Sequence, residues 1–430
     1  MTSPLPKRGA TLPPSYSPSD PTPDYTPDAG DEEVSLDRTI RITSQHSATN
    51  QTLVRTYTRR QFHFSVNFAH QEEACEMPTY QQGWFVAGHV FLHNLSGYQL
   101  LDIQLEIEGW IELELGNWGR DRHSFLKLSE QLWPSSEADS IPDSVSERLE
   151  FSVKLPRSLR DQDGSDVLLP SSSPRETLVG LSFAVMYSAK ISISIRGYGG
   201  LVQKQRYLDT PFKYVRRSTP QAPSLPSDSS FMSTVKTAPE EWTNVLMEIP
   251  LQDTDEQVFC TLALPASRIF CMTDNIPVHL QLSGSEAGLR QFLPAANPLS
   301  PSDESAPSSS KIETIGSAKI TVYLQRQVSA EVNGRRVQRK YRISAPADLE
   351  LGSGSLSPLS LLAWNGTVIP KLPAWWAPCF RMAKMETADQ VVIEATTSLR
   401  DEAKAARGVV KPYTQAFGVK LVTDRLVPAF

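Results

Sequence analysis

Cysteine is scarce in this sequence. The 430 residues hold four, Cys75, Cys260, Cys271 and Cys379. None forms a C-x-x-C pair, so neither a disulfide framework nor paired zinc-ligand spacing is available. They read as reduced, mostly buried thiols. Glycine is outnumbered by proline, 22 to 33, and a helix-rich enzyme rarely carries so much proline. Nowhere do about 18 apolar residues run unbroken, so no membrane-spanning helix is expected. Met1 to Arg8 contain no apolar stretch of a secretory signal. A basic excess is also missing. The 42 Lys and Arg face 48 Asp and Glu, for a net charge of −6, which removes the electrostatic footing for nonspecific nucleic-acid binding. These absences together predict a cytoplasmic protein, in which the sequons at Asn50, Asn94 and Asn365 are chance matches.

Catalytic signatures are lacking as well. There is no G-x-S-x-G elbow and no H-E-x-x-H. His89 and His93 share a strand face, but no carboxylate or cysteine completes a ligand set around them. Gly197-Tyr198-Gly199-Gly200 follows a strand pattern with no helix opening behind it, so a dinucleotide loop fails and a hairpin turn remains. No cofactor is expected. An enzyme built on β-structure is the rival class, and it would need convergent titratable groups in a pocket.

What the sequence does contain is alternation. From Leu101 to Leu115 the odd positions are apolar, Gly109 excepted, and the even ones are polar, Trp110 excepted. Period two puts one face of a strand in a core and the other in water. The acidic residues of this run therefore read as a solvated face, not a catalytic carboxylate pair. The pattern recurs over Phe183–Ile195, Val258–Leu264, Ile276–Leu282 and Ile320–Val332. Asn333-Gly334 then supplies a type I′ turn, since both residues tolerate positive φ. Many strands with little helix between them predict an all-β chain of antiparallel sandwiches. One short helix is expected over Ser398–Arg407, capped by Ser398 and stopped by Gly408.

Two compositional breaks divide the chain. Residues 1–33 are dominated by Pro, Ser, Thr and Asp and bury too little apolar area to offset their ordering entropy, so this tail is expected to be disordered. Residues 218–240 read as a Pro/Ser-rich linker. The expected organisation is a tail over 1–33, one sandwich over 34–217, the linker over 218–240, and a second sandwich over 241–430. Ser283–Ser310 reads as a long loop inside the second.

Two motifs stand out as contact sites. Pro13-Pro14-Ser15-Tyr16 matches Pro-Pro-x-Tyr, the ligand class of WW domains. Adjacent prolines hold a polyproline II ridge at low entropy cost, and Tyr16 offers a ring to a second pocket. Thr22-Pro23-Asp24-Tyr25 is a weaker echo, and Ser17 and Thr26 each precede a proline as phosphorylation candidates. Arg335, Arg336, Arg339, Lys340 and Arg342 cluster around the Asn333-Gly334 turn. They fit either a contact for acidic cargo tails or anionic lipid, or a solvated edge hairpin whose charges block edge-to-edge pairing. Trp375-Trp376 with Cys379-Phe380 reads as core packing.

The segment Phe85-Val86-Ala87-Gly88-His89-Val90-Phe91-Leu92, followed by the Leu101–Leu115 strand, is similar to the early strand pair of the arrestin N-domain. Ser182–Arg196 resembles that domain's late strand, which leads to a closing Pro-Phe-x-Tyr, here Pro211-Phe212-Lys213-Tyr214 with Arg216-Arg217 behind it. Trp242–Phe430 resembles the arrestin C-domain more loosely. The chain thus resembles the α-arrestins. The resemblance implies two consecutive immunoglobulin-like β-sandwiches joined by a short hinge. It also implies an adaptor linking the cytosolic parts of membrane transporters or receptors to a WW-domain ubiquitin ligase for endocytosis. Such an adaptor works peripherally at the plasma membrane or endosomes, with anionic membrane as a further contact. The alternative is a retromer-like or scaffold protein of the same fold without a ligase link. Many α-arrestins carry Pro-Pro-x-Tyr motifs in a long C-terminal tail, whereas this sequence reaches Phe430 soon after its last strand signal. The sequence alone assigns no positions to the buried ionic core or the phosphate-sensing lysines of the visual arrestins.

Overall fold

The computed structural model describes residues 56–72, 75–133, 148–160, 164–197, 203–220, 231–251, 255–293, 318–351, 360–373, 376–397, 410 and 412–425. The Met1–Glu33 tail with Pro13, Pro14, Tyr16, Ser17 and Thr26, Trp375, and the helix expected over Ser398–Arg407 lie outside these residues. The described chain is all-β. Its α-helices, Phe231–Thr234 and Glu286–Arg290, are each about one turn, and no described helix is long and apolar enough to cross a membrane.

Four main sheets carry the fold. The first orders Tyr57–Arg60, Phe64–Phe68, Phe85–Leu92 and Arg148–Lys154 side by side. The second runs Thr79–Gln81, Gln203–Val215, Leu181–Gly197, Tyr98–Glu114 and Arg120–Trp133, with Ser173–Leu178 also paired to Leu181–Gly197. The third orders Trp242–Pro250, Gln257–Pro265, Ile276–Ser283, Leu361–Val368 and Asp348–Leu351. The fourth runs Ile269–Cys271, Tyr413–Val422, Met385–Thr397, Ala318–Val332 and Arg335–Arg342, with Arg381–Met382 on Met385–Thr397.

One connectivity is used twice. In each half the first, second and fourth strands lie together, while the short third strand crosses to the other sheet. There it runs parallel to the last long strand: Thr79–Gln81 beside Lys213–Val215, and Ile269–Cys271 beside Lys420–Val422. The remaining pairs are antiparallel.

The alternation read in the sequence explains which faces are buried. Ile103, Leu105, Ile107, Ile111 and Leu113 are buried on one face of Tyr98–Glu114. The outward carboxylates pair with cations of the next strand, Glu106 with Lys127, Glu108 with Arg122 and Glu114 with Arg120, and Glu114 also with Arg175, one strand further away. Such exposed pairs contribute little stability. Buried residues of the first and second sheets, among them Phe64, Val86, Phe151, Ile107 and Ile193, form one apolar cluster. Val328, Ala330, Val332, Phe380, Met382 and Met385 of the second half belong to the same cluster. The third and fourth sheets share another, with Leu262, Leu280, Val322 and Ile393 at its centre.

The expected linker over 218–240 is held at two places. Just before it, Arg217 makes a two-pronged ion pair with Asp424, Nε to Oδ2 at 3.0 Å and Nη2 to Oδ1 at 2.5 Å. Within it, Phe231 stacks on His279 with centroids 4.3 Å apart. The Asn333-Gly334 turn has φ of +50° and +76°, as a type I′ hairpin requires.

Candidate functional site

Besides the shared apolar cluster and the Arg217–Asp424 and Asp121–Lys384 ion pairs, two groups of residues bring the halves together: a buried polar junction and an exposed basic tip. The junction centres on Arg326, from Ala318–Val332, and Asp389, from the neighbouring Met385–Thr397. Arg326 Nε donates to Asp389 Oδ1 at 2.8 Å and Nη2 to Oδ2 at 3.0 Å. The two side chains are 4% and 0% exposed. Arg326 Nη1 also donates to the Ala377 carbonyl at 2.8 Å, and its guanidinium lies 4.2 Å from the centre of the Trp376 ring. Arg216, beyond the last strand of the first half, is buried and sends Nη2 to the Cys379 carbonyl at 2.7 Å. Burial lowers the Arg216 pKa, and the Arg326 charge adds to that. Burial likewise pushes the Cys379 thiol up to about 12, so it is protonated at neutral pH and a poor nucleophile.

Glu176 and Tyr341 join the halves beside this pair, with Tyr341 Oη donating to Glu176 Oε2 at 3.2 Å. Burial raises the Glu176 pKa; attraction to Arg326 and the tyrosine bond pull it down by less. The sign for stability follows. A carboxyl whose folded pKa lies above its ordinary value of 4.5 stabilises fully below that value. It loses that contribution as pH rises through the folded pKa. Glu176→Gln keeps an acceptor for Tyr341 and removes the charge. The melting temperature of the parent should therefore fall relative to Glu176→Gln as pH is raised from 4 to about 7. Parallel profiles for the two proteins would contradict this.

The exposed tip is built from three turns. Residues 115–119 join Tyr98–Glu114 to Arg120–Trp133, Val179-Gly180 joins Ser173–Leu178 to Leu181–Gly197, and Asn333-Gly334 joins Ala318–Val332 to Arg335–Arg342. Asn333 Nδ2 donates to the Trp118 carbonyl at 2.8 Å, and Arg339 Nε donates to the Val179 carbonyl at 2.7 Å. The Arg335 guanidinium lies over the Trp118 ring, 3.3 Å from its centre. Between them opens a cleft of about 530 Å³, lined by Trp118, Gly180, Arg335, Arg336, Val337 and Arg339 among others.

The five cations expected to act together are divided by strand alternation. Arg335 and Arg339 share a face with Val337 and Tyr341 and turn toward the first half. Arg336, Lys340 and Arg342 occupy the other, exposed face. Arg342 is already engaged, 2.6 Å from Glu394 and stacked on Tyr323. Among the described residues, no carboxylate forms an ion pair with Arg335, Arg336, Arg339 or Lys340.

Arg216, Arg326, Asp389 and Glu176 were not singled out from the sequence. Arg216 follows the closing Pro211–Tyr214 element, but its partner Cys379 is 163 residues away. One local sign existed: Arg326 and Asp389 each interrupt otherwise apolar-alternating strands. Trp376 is buried, as read from sequence. The chain matches no protein-family model and no curated protein.

Proposed function

We propose that the chain is an arrestin-like adaptor without catalytic activity. In this reading its four sheets make two β-sandwiches, over 34–217 and 241–430. They engage a cytosolic part of a membrane transporter or receptor at the plasma membrane or endosomes. Pro13, Pro14 and Tyr16 dock a WW-domain ubiquitin ligase. The observation that supports it is the repeated connectivity, with its short parallel third strand in each half. That is the duplicated arrangement the sequence resemblance implies. A junction in which Arg216 and Glu176 of one half bond Cys379 and Tyr341 of the other suits a rigid two-part platform better than two independently moving units.

The test is a titration of isolated WW domains with full-length protein. A single short motif buries little area, so a Kd near 1 μM or weaker is expected, about −8 kcal/mol at best. Tyr16→Ala empties the ring's pocket and should weaken binding at least about tenfold. Ser15→Ala only alters a spacer and should bind as the parent does. Equal binding by parent and Tyr16→Ala, or none by either, removes the ligase. The scaffold without a ligase link then becomes the better reading.

A further inference from the structure

We propose that the three converging turns form a membrane-contact tip, in which Val179 and Trp118 enter the interfacial layer of an anionic bilayer while Arg335, Arg336 and Arg339 bind its headgroups. The inference deepens the adaptor reading by naming a partner for this surface, and it is tested without ligase or cargo.

Three observations carry it. The first is apolar exposure at apices. Val179 sits in a two-residue turn and is 87% exposed, and Trp118 in the adjoining turn is 50% exposed. A lone exposed valine is ordinary. Here it lies beside a half-exposed indole, a group that favours the membrane–water boundary because its ring is apolar and its N–H polar.

The second is charge. The nearby carboxylates of the first half are already matched: Glu114 with Arg120 and Arg175, Glu112 with Arg175, Asp121 with Lys384. The hairpin's one acidic residue is Glu331, opposite Arg336 in the register. Arg335, Arg336 and Arg339 outnumber it. The surplus is local in a chain whose net charge is −6, so it is not a by-product of a basic protein.

The third is construction. Asn333 and Arg339 fasten the hairpin to the carbonyls of Trp118 and Val179, and Arg335 is held against the indole. Arg335, Arg339 and the apolar tips are therefore presented by one preformed surface with Arg336 at its edge, which reduces the ordering cost of binding. An acidic peptide lying in the cleft would satisfy the arginines but has no need of an apolar side chain at the apex of the Val179-Gly180 turn. A bilayer uses both.

The experiment is co-sedimentation of the full chain with phosphatidylserine-containing phosphatidylcholine vesicles, with pure phosphatidylcholine as the neutral arm. Binding is expected only to the anionic vesicles, and it should weaken with salt. Each basic residue near an anionic surface contributes roughly a fivefold gain. Arg336→Glu, an exposed substitution, should therefore weaken vesicle binding about tenfold or more. Val179→Asp should weaken it by a similar factor. A competition arm adds free inorganic phosphate or an acidic peptide, and neither should displace the vesicles at concentrations that leave ionic strength unchanged. The proposal is overturned if anionic vesicles do not bind. It is also overturned if Val179→Asp binds them as the parent does, or if phosphate or the acidic peptide displaces them. The last two results would assign the cleft to a soluble anion or to an acidic cargo tail.

Discussion

Asp389→Ala is expected to cost about 3–5 kcal/mol of folding stability, because it strands a guanidinium in the protein interior. Arg326 is 4% exposed and spends two of its donors on that one carboxylate. With the carboxylate gone, the Ala377 carbonyl, the Cys379 sulfur and the Trp376 ring remain against the guanidinium, and none of them is an anion. The buried Arg216 nearby adds repulsion. Water cannot compensate without opening the contact between the halves. Replacing both partners by apolar residues, Arg326→Met with Asp389→Leu, should recover most of the loss, since a buried pair roughly breaks even against a packed apolar isostere. The urea midpoints of the three proteins decide it. A loss under about 1 kcal/mol for Asp389→Ala would mean that the junction is hydrated and that the ion pair contributes little.

The second large effect is expected at Gly88, in the strand Phe85–Leu92 at the interior of the first sheet. A Cβ there would overlap the backbone carbonyl oxygen of Asn67 on the adjacent strand and lie 2.8 Å from Cζ of the Phe151 ring. The ring could swing aside at some cost, but the carbonyl belongs to the pairing of Phe64–Phe68 with Phe85–Leu92 and has nowhere to go. Overpacking typically costs about 1–3 kcal/mol once side chains and backbone have shifted to make room. With backbone in the way, Gly88→Ala should reach about 3 kcal/mol or more and lower the midpoint of thermal unfolding by several degrees. Gly418→Ala is the matched control, because nothing lies within 4 Å of its Cβ position. Equal midpoints for the two variants would refute the steric account.

The two substitutions act at different levels. Gly88 governs one sheet of the first half. Asp389 governs the place where Glu176 and Arg216 of the first half meet Tyr341, Arg326 and Cys379 of the second. A protein that presents one preformed tip from three turns needs that meeting to hold, since the turns at 115–119 and 179–180 belong to one half and the Asn333-Gly334 turn to the other. Loosening the junction should therefore be felt at the tip.

The amino-acid sequence by itself determined the all-β character, the strand at Leu101–Leu115 and its outward acidic face, and the tight turn at Asn333-Gly334. Each depends on local information. Alternation of polarity at period two selects a strand, and two residues that accept positive φ select the hairpin turn. Tertiary structure alone decided the pairing of Arg326 with Asp389 and the burial of Arg216. It also decided the division of the basic hairpin into a face that meets Trp118 and Val179 and a face that meets water. Arg326 and Asp389 stand out locally as charges in the apolar register of their strands, but that sign marks neither as the partner of the other. Arg339 and Lys340 are neighbours in the chain, yet one is fastened to Val179 and the other is exposed. What separates them is the approach of a turn 160 residues away, and no local pattern encodes the position of a distant backbone.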